Sequence, residues 1–235
     1  MYPGMFWDPT YLLVLIGALL CMAAQMKVKT TFGIYSQVNN HTGLTGRMAA
    51  EKILAYAGLT NVKVEHVRGH LTDHFDPRSN TLRLSDATYG AATIGAVAVA
   101  AHECGHAIQH AKGYAPLSIR SALVPAANFG AKAAWPLILI GLFFRSQTAL
   151  FLLEIGVIGF GLAVLFQFVT LPVEFNASNR ALKILETTGL LGSDEMAGAK
   201  KVLFAAALTY VAGAASAALQ FLRILILTGG RRRDD

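Results

Sequence analysis

The chain has 235 residues, of which 54% are hydrophobic and 14% charged, where a soluble globular protein carries about 25% charged residues. With a mean hydropathy of +0.48, this composition places much of the chain in lipid and excludes disordered, collagen-like and low-complexity classes. The net charge of +6 does not point to nucleic acid, because no basic stripe with interleaved aromatics accompanies it; it fits lysines and arginines retained on the cytoplasmic side of a membrane. The two cysteines, Cys21 and Cys104, build no disulfide framework.

Residues 9–26 carry no charge between Asp8 and Lys27, and such a run reaches the lower limit for a bilayer-crossing helix. No lysine or arginine precedes it and no small-residue cleavage site follows, so a retained anchor is expected rather than a signal peptide. Residues 27–120 then hold ten of the twenty basic residues, and all seven histidines lie between His41 and His110. An amphipathic helix is expected over 47–57, stopped by Gly58. Val62, Val64, Val67, Leu71, Leu82 and Leu84 read as short strands, with Asp76-Pro77-Arg78-Ser79-Asn80 as a turn, giving a small hairpin or strand pair. Residues 88–111, rich in alanine, read as one buried helix.

Three further apolar segments follow. Residues 121–144 contain Pro125 and Pro136 and predict a kinked span, and Arg145 to Thr148 a short turn. Residues 155–173 and 202–222 are each long enough to cross a bilayer, with Gly213 and Ala217 as candidate helix-packing positions. Snorkelling accounts for Glu154 and Arg223, whereas Lys132 calls for a break at Pro136. The expected fold is a mainly α integral membrane protein with about four transmembrane helices and a small α+β cytoplasmic zinc domain. Its parts are an anchor (1–26), a cytoplasmic region (27–120), a transmembrane hairpin (121–171), a returning helix region (172–201) and a last membrane segment with a basic tail (202–235). Charge bias places the first terminus outside, and 27–120 and 172–201 together in the cytoplasm. Arg231, Arg232 and Arg233 break that pattern: the last segment re-enters, lies at the interface, or leaves its tail outside.

His102-Glu103-Cys104-Gly105-His106 has the HExxH spacing inside the helix expected over 88–111. Histidines four apart share one helix face, about 6 Å apart in rise, so both imidazoles can reach one metal ion, with Glu103 placed to accept a proton from water. A pair of buried histidines satisfied by other partners is the bland alternative. A catalytic zinc needs a third protein ligand and an open position. His110 continues the same face but rises about 12 Å from His102, too far to share the ion, and is read as a neighbouring or structural residue. The better candidate is Glu174, which Pro172 places in the first turn of a helix returning to the same compartment; an interfacial acidic residue is the other reading.

The segments 71–78 (Leu-Thr-Asp-His-Phe-Asp-Pro-Arg), 102–110 and 172–178 (Pro-Val-Glu-Phe-Asn-Ala-Ser) resemble those of the YugP-like neutral membrane zinc metallopeptidases of bacteria, over most of the chain. The resemblance implies a multi-pass cell-membrane protease whose site is similar to that of the HtpX-type and CAAX-prenyl gluzincins, acting on a peptide or membrane-protein substrate with Zn2+. In those relatives a glutamate in Glu-x-x-Ala-Asp is the third zinc ligand; that role carries to Glu174, while the aspartate is replaced here by Ser178, a weaker support for a zinc-bound histidine. The reaction expected is peptide hydrolysis with Glu103 as general base, and His74 or Arg180 as candidates to stabilise the oxyanion. Residues 81–85 could receive a substrate by strand addition or be an ordinary strand. The rival class is a non-catalytic zinc-binding scaffold or chaperone-like protein. A structural zinc, however, has four protein ligands and no use for Glu103.

Overall fold

The computed structural model describes residues 8–144 and 146–229. In chain order they form α1 (Tyr11–Tyr35), α2 (Gly46–Tyr56), β1 (Lys63–His66), β2 (His74–Asp76), β3 (Thr81–Leu84), α3 (Ile94–Ala111), α4 (Ala115–Phe143), α5 (Gln147–Thr188) and α6 (Met196–Gly229). Helices α1, α4, α5 and α6 are each long and apolar enough to cross a membrane. The chain divides into two compact units. One comprises the described residues of 8–23, 118–171 and 210–229; the other comprises 24–117 and 172–209.

In the first unit, α4 and α5 meet along a seam of small residues. A side chain at Gly130 would collide with the Gly159 backbone, and one at Gly156 with Ala134 and Ile138. Ala134, Ile138, Leu153 and Ile224 form the buried cluster beside it. Close backbone approach of this kind is how helices associate where lipid is as apolar as the side chains. The expected packing position, Gly213, is roomy, since its nearest neighbour is Gln167 Oε1 at 4.0 Å. The tight contact between α1 and α6 is made instead by Gly17 against Ser216, with the Cys21 thiol 3.6 Å from the Ala212 carbonyl. Arg223 has partners on α1 and the residues before it. Its side chain is 13% exposed and lies 3.8 Å from Asp8, with the guanidinium 4.1 Å from the centre of the Tyr11 ring. This pairing draws the start of α1 and the end of α6 to the same side.

Neither the expected helix start at Pro172 nor the expected break at Pro136 is present. Pro172 does not open a helix but lies inside α5, a single helix of 42 residues, and α4 likewise runs unbroken through Pro125 and Pro136. Neighbouring groups can satisfy the carbonyl that a proline frees in a membrane-length helix, so proline is a weaker stop there than in water. Lys132 is exposed on this unbroken α4, and nothing in the structure explains it. Helix α6 is continuous over 34 residues. Arg145 and Arg231 to Arg233 lie outside the described residues.

The second unit is organised around α3. Thr93 caps its N-terminus by accepting from the Ala96 amide at 3.2 Å, satisfying one of the donors left open in a first turn. The helix therefore starts at Ile94 rather than near Thr88. Gly113, at φ +59, ends it in the left-handed conformation glycine adopts without strain. Small side chains at Ala98, Ala101 and Cys104 let α2 approach closely, with Ala49, Ala50, Ile53 and Leu54 buried against the same core. On another side lies a three-stranded sheet of order β1-β3-β2. The hairpin turn at 76–80 is present, with β2 antiparallel to β3, but β1 joins β3 in parallel, and Leu71 belongs to a loop at φ +56. Leu82 and Leu84 are fully buried, while Arg83 points the other way to Asp76 at 3.0 Å and Glu65 at 3.7 Å. This is the period-2 alternation of a half-buried strand.

Candidate metal centre

The site lies within the second unit, where α3 crosses the later part of α5. Gly105 sets the closeness of that crossing: a Cβ there would come 2.5 Å from the Ala177 carbonyl oxygen. With no side chain between the backbones, Glu174 and Ser178, on either side of Ala177 in α5, reach the two motif histidines. His102 Nε2 lies 3.3 Å from Glu174 Oε2, His106 Nε2 lies 3.5 Å from the same oxygen, and the two imidazole nitrogens are 3.2 Å apart. Three donors on a tetrahedral zinc at about 2.0–2.1 Å stand about 3.3 Å from one another. The side chains thus fit the ion's geometry and its preference for imidazole and carboxylate, and leave a fourth position for water.

The outer nitrogens of both rings are held. His102 Nδ1 lies 3.1 Å from Ser178 Oγ, and His106 Nδ1 lies 3.0 Å from Gln109 Oε1. Burial favours the neutral His106 ring, but the hydrogen bond to Glu174 and the charges of Glu103 and Glu174 outweigh it, so its pKa lies above the ordinary histidine value. Glu103 is 9% exposed and takes no hydrogen bond or ion pair from another described residue. Cys104 is unsuited as a ligand. Burial, then the charge of Glu103, push its thiol well up, and its sulfur lies 3.7 Å from the Ala50 carbonyl.

The remaining sequence candidates sit elsewhere. His110 is exposed and packs at a tilt against Phe75, with ring centres 5.8 Å apart. His74 is on β2 with Nδ1 donating to the Thr72 carbonyl at 2.9 Å, so its Nε2 donates only if the ring carries a second proton. Arg180 donates from Nε to Asn176 Oδ1 at 2.7 Å, and its guanidinium lies 5.8 Å from the Tyr114 ring centre. Strand addition at 81–85 is excluded, since β3 is the central strand with both edges paired; the open edges are those of β1 and β2, and β2 is the strand whose Phe75 packs against His110 of α3.

Sequence reasoning missed Gln109, fully buried, and Asn176, which joins it at 3.0 Å. The available signal was an amide three residues after His106, one helical turn along the same face.

The family described as "putative neutral zinc metallopeptidase" matches residues 10–229. The chain belongs to that family. It is also 45% identical over 223 residues to the "putative membrane protease YugP" of Bacillus subtilis (strain 168), covering 94% of this chain and 98% of the relative. No solved structure matches. The His102, His106 and Glu174 cluster is, among the described residues, the one group of three or more ligating side chains able to hold a metal ion, and the family's description implies that the metal is zinc.

Proposed function

We propose that this chain is a membrane-embedded zinc metalloendopeptidase of gluzincin type, with His102, His106 and Glu174 as ligands and Glu103 as general base. The observation that carries the reading is the mutual spacing of the three donor atoms, 3.2 to 3.5 Å, with an unengaged carboxylate one residue from the first ligand. Zinc held there supplies Lewis acidity toward a water and a substrate carbonyl. Glu103 takes the proton of the attacking water and delivers it to the leaving amine. Ser178 and Gln109 hold the histidine rings, and an extended substrate adds to the open edge of β2, beside the α3 end that Phe75 contacts through His110. His74, on that same strand, is preferred to Arg180 as the group that assists the oxyanion, because Arg180 is engaged with Asn176. The second unit holds thirteen of the twenty lysines and arginines, which supports a cytoplasmic active site in a bacterial multi-pass membrane protein.

The test is digestion of a peptide library by purified wild type beside Glu103→Gln, with zinc content measured for both. The reading expects equal zinc and cleavage by the wild type alone. Equal cleavage by the two proteins would overturn the assignment of Glu103 as the general base.

A further inference from the structure

The three polar side chains behind His106, those of Gln109, Asn176 and Arg180, have only one consistent assignment of donors and acceptors. Arginine Nε can only donate, so the Asn176 atom 2.7 Å from Arg180 Nε is the oxygen. That same oxygen lies 3.0 Å from the Gln109 amide, which must therefore present its NH2 group. A second acceptor, the Val173 carbonyl at 2.7 Å from Gln109 Nε2, independently requires the same orientation. The atom that Gln109 turns toward His106 is then its oxygen, 3.0 Å from Nδ1. An oxygen acceptor there obliges Nδ1 to carry the hydrogen. In the neutral ring Nε2 is left with its lone pair aimed at Glu174 and His102, the form in which imidazole binds a metal.

We propose that Arg180, acting through Asn176 and Gln109, is a positioning residue that fixes His106 in its metal-binding tautomer. The proposal rests on the reading of His102, His106 and Glu174 as a zinc site. His102 has no equivalent, because the hydroxyl of Ser178 can donate or accept and leaves the ring's tautomer open. The two histidines are thus supported unequally. The His106 relay also ties α3 to α5 at two points, Val173 and Asn176, on either side of the ligand Glu174, so ring orientation and ligand placement are set together. Gln109 is fully buried, and both ends of its amide are satisfied, as a buried polar group requires. Arg180 is steadied in turn by the Tyr114 ring just beyond α3.

The experiment measures zinc affinity of the full-length chain in detergent, by competition with a coloured chelator, and records the imidazole nitrogen resonances of His106. Gln109→Met preserves volume and removes both polar ends; it is expected to weaken zinc binding by about 10- to 100-fold, the usual effect of losing such a partner. Asn176→Leu is expected to lose affinity similarly, and Asn176→Asp to restore it, because both bonds at this position are accepted by oxygen. Gln109→Met combined with Arg180→Met should bind zinc no more weakly than Gln109→Met alone. Wild-type affinity in Asn176→Leu, or losses that add in the double variant, would overturn the proposal. So would an Nδ1 that resonates as unprotonated in the wild-type protein. If Gln109→Met does not fold, the two Asn176 variants decide the matter. Zinc binding that depends on His106 and on the relay, without proteolysis, would sink the protease reading and leave this one standing.

Discussion

Replacing Gly105 by alanine tests whether helix approach, rather than the motif residues alone, builds the metal centre. The added Cβ would lie 2.5 Å from the Ala177 carbonyl oxygen and 3.0 Å from its carbon, about 0.9 Å short of ordinary contact at 3.4 Å. Both obstacles are backbone atoms, so no side chain can swing away, and α5 must retreat by several tenths of an ångström at Ala177. Metal ligands tolerate about 0.2 Å. Glu174 lies three residues before Ala177 and Ser178 one after, so the shift removes a ligand and a supporting hydroxyl together. Overpacking of this kind costs about 1–3 kcal/mol, while alanine in place of glycine in a helix returns about 1 kcal/mol. The net loss of fold stability should therefore be no more than about 2 kcal/mol. Zinc affinity should fall by at least about tenfold. Chelator competition and thermal unfolding on the same preparation separate these effects. Zinc binding within twofold of wild type would refute the reasoning.

Other perturbations probe the support of the site and the layers around it. Ser178→Ala should weaken zinc binding by about tenfold through loss of the His102 partner, and Ser178→Asp, with a stronger acceptor, should recover it in the same chelator assay. Leu84→Ala, at a fully buried position of β3, should destabilise the chain by about 2–5 kcal/mol in denaturant or thermal unfolding. Ser79, Arg83 and the Arg78 amide, in that order, hold the carboxyl of Asp76 well below the ordinary aspartate range. A depressed folded-state pKa gives stability that is complete above the unfolded value near about 4 and is lost as pH falls below it. Asp76→Asn should therefore lower the unfolding temperature at pH 7 and narrow its gap from wild type progressively below about pH 4; a gap that widens in acid would contradict the assignment.

How much was legible in the sequence follows from the range of each interaction. His102, Glu103 and His106 are fixed relative to one another by helix periodicity within a single turn, so their chemistry could be read locally. Charge bias and the return of the chain point to Glu174, whereas Pro172 reads in the sequence as a helix start. The membrane-length α5 instead carries the chain through that proline to Thr188. The turn at 76–80 was visible because Pro77 and the short polar residues around it act locally, and Asp76 does bond both the Arg78 amide and Ser79 Oγ. The parallel pairing of β1 with β3 was not visible, since strands of four residues carry too little pattern to select a crossover partner. Neither was the role of Gln109. Its meaning depends on the Val173 carbonyl and Asn176, sixty-four and sixty-seven residues away, and on the close approach that Gly105 permits.

The most direct measurement of the central claim, that His102, His106 and Glu174 hold a zinc ion with a position left for water, is X-ray absorption at the zinc edge of the purified wild-type chain. The account predicts one zinc per chain with nitrogen and oxygen neighbours only, at about 2.0–2.2 Å, two of them imidazole. A sulfur neighbour at about 2.3 Å, or cleavage by protein that carries no stoichiometric zinc, would contradict it.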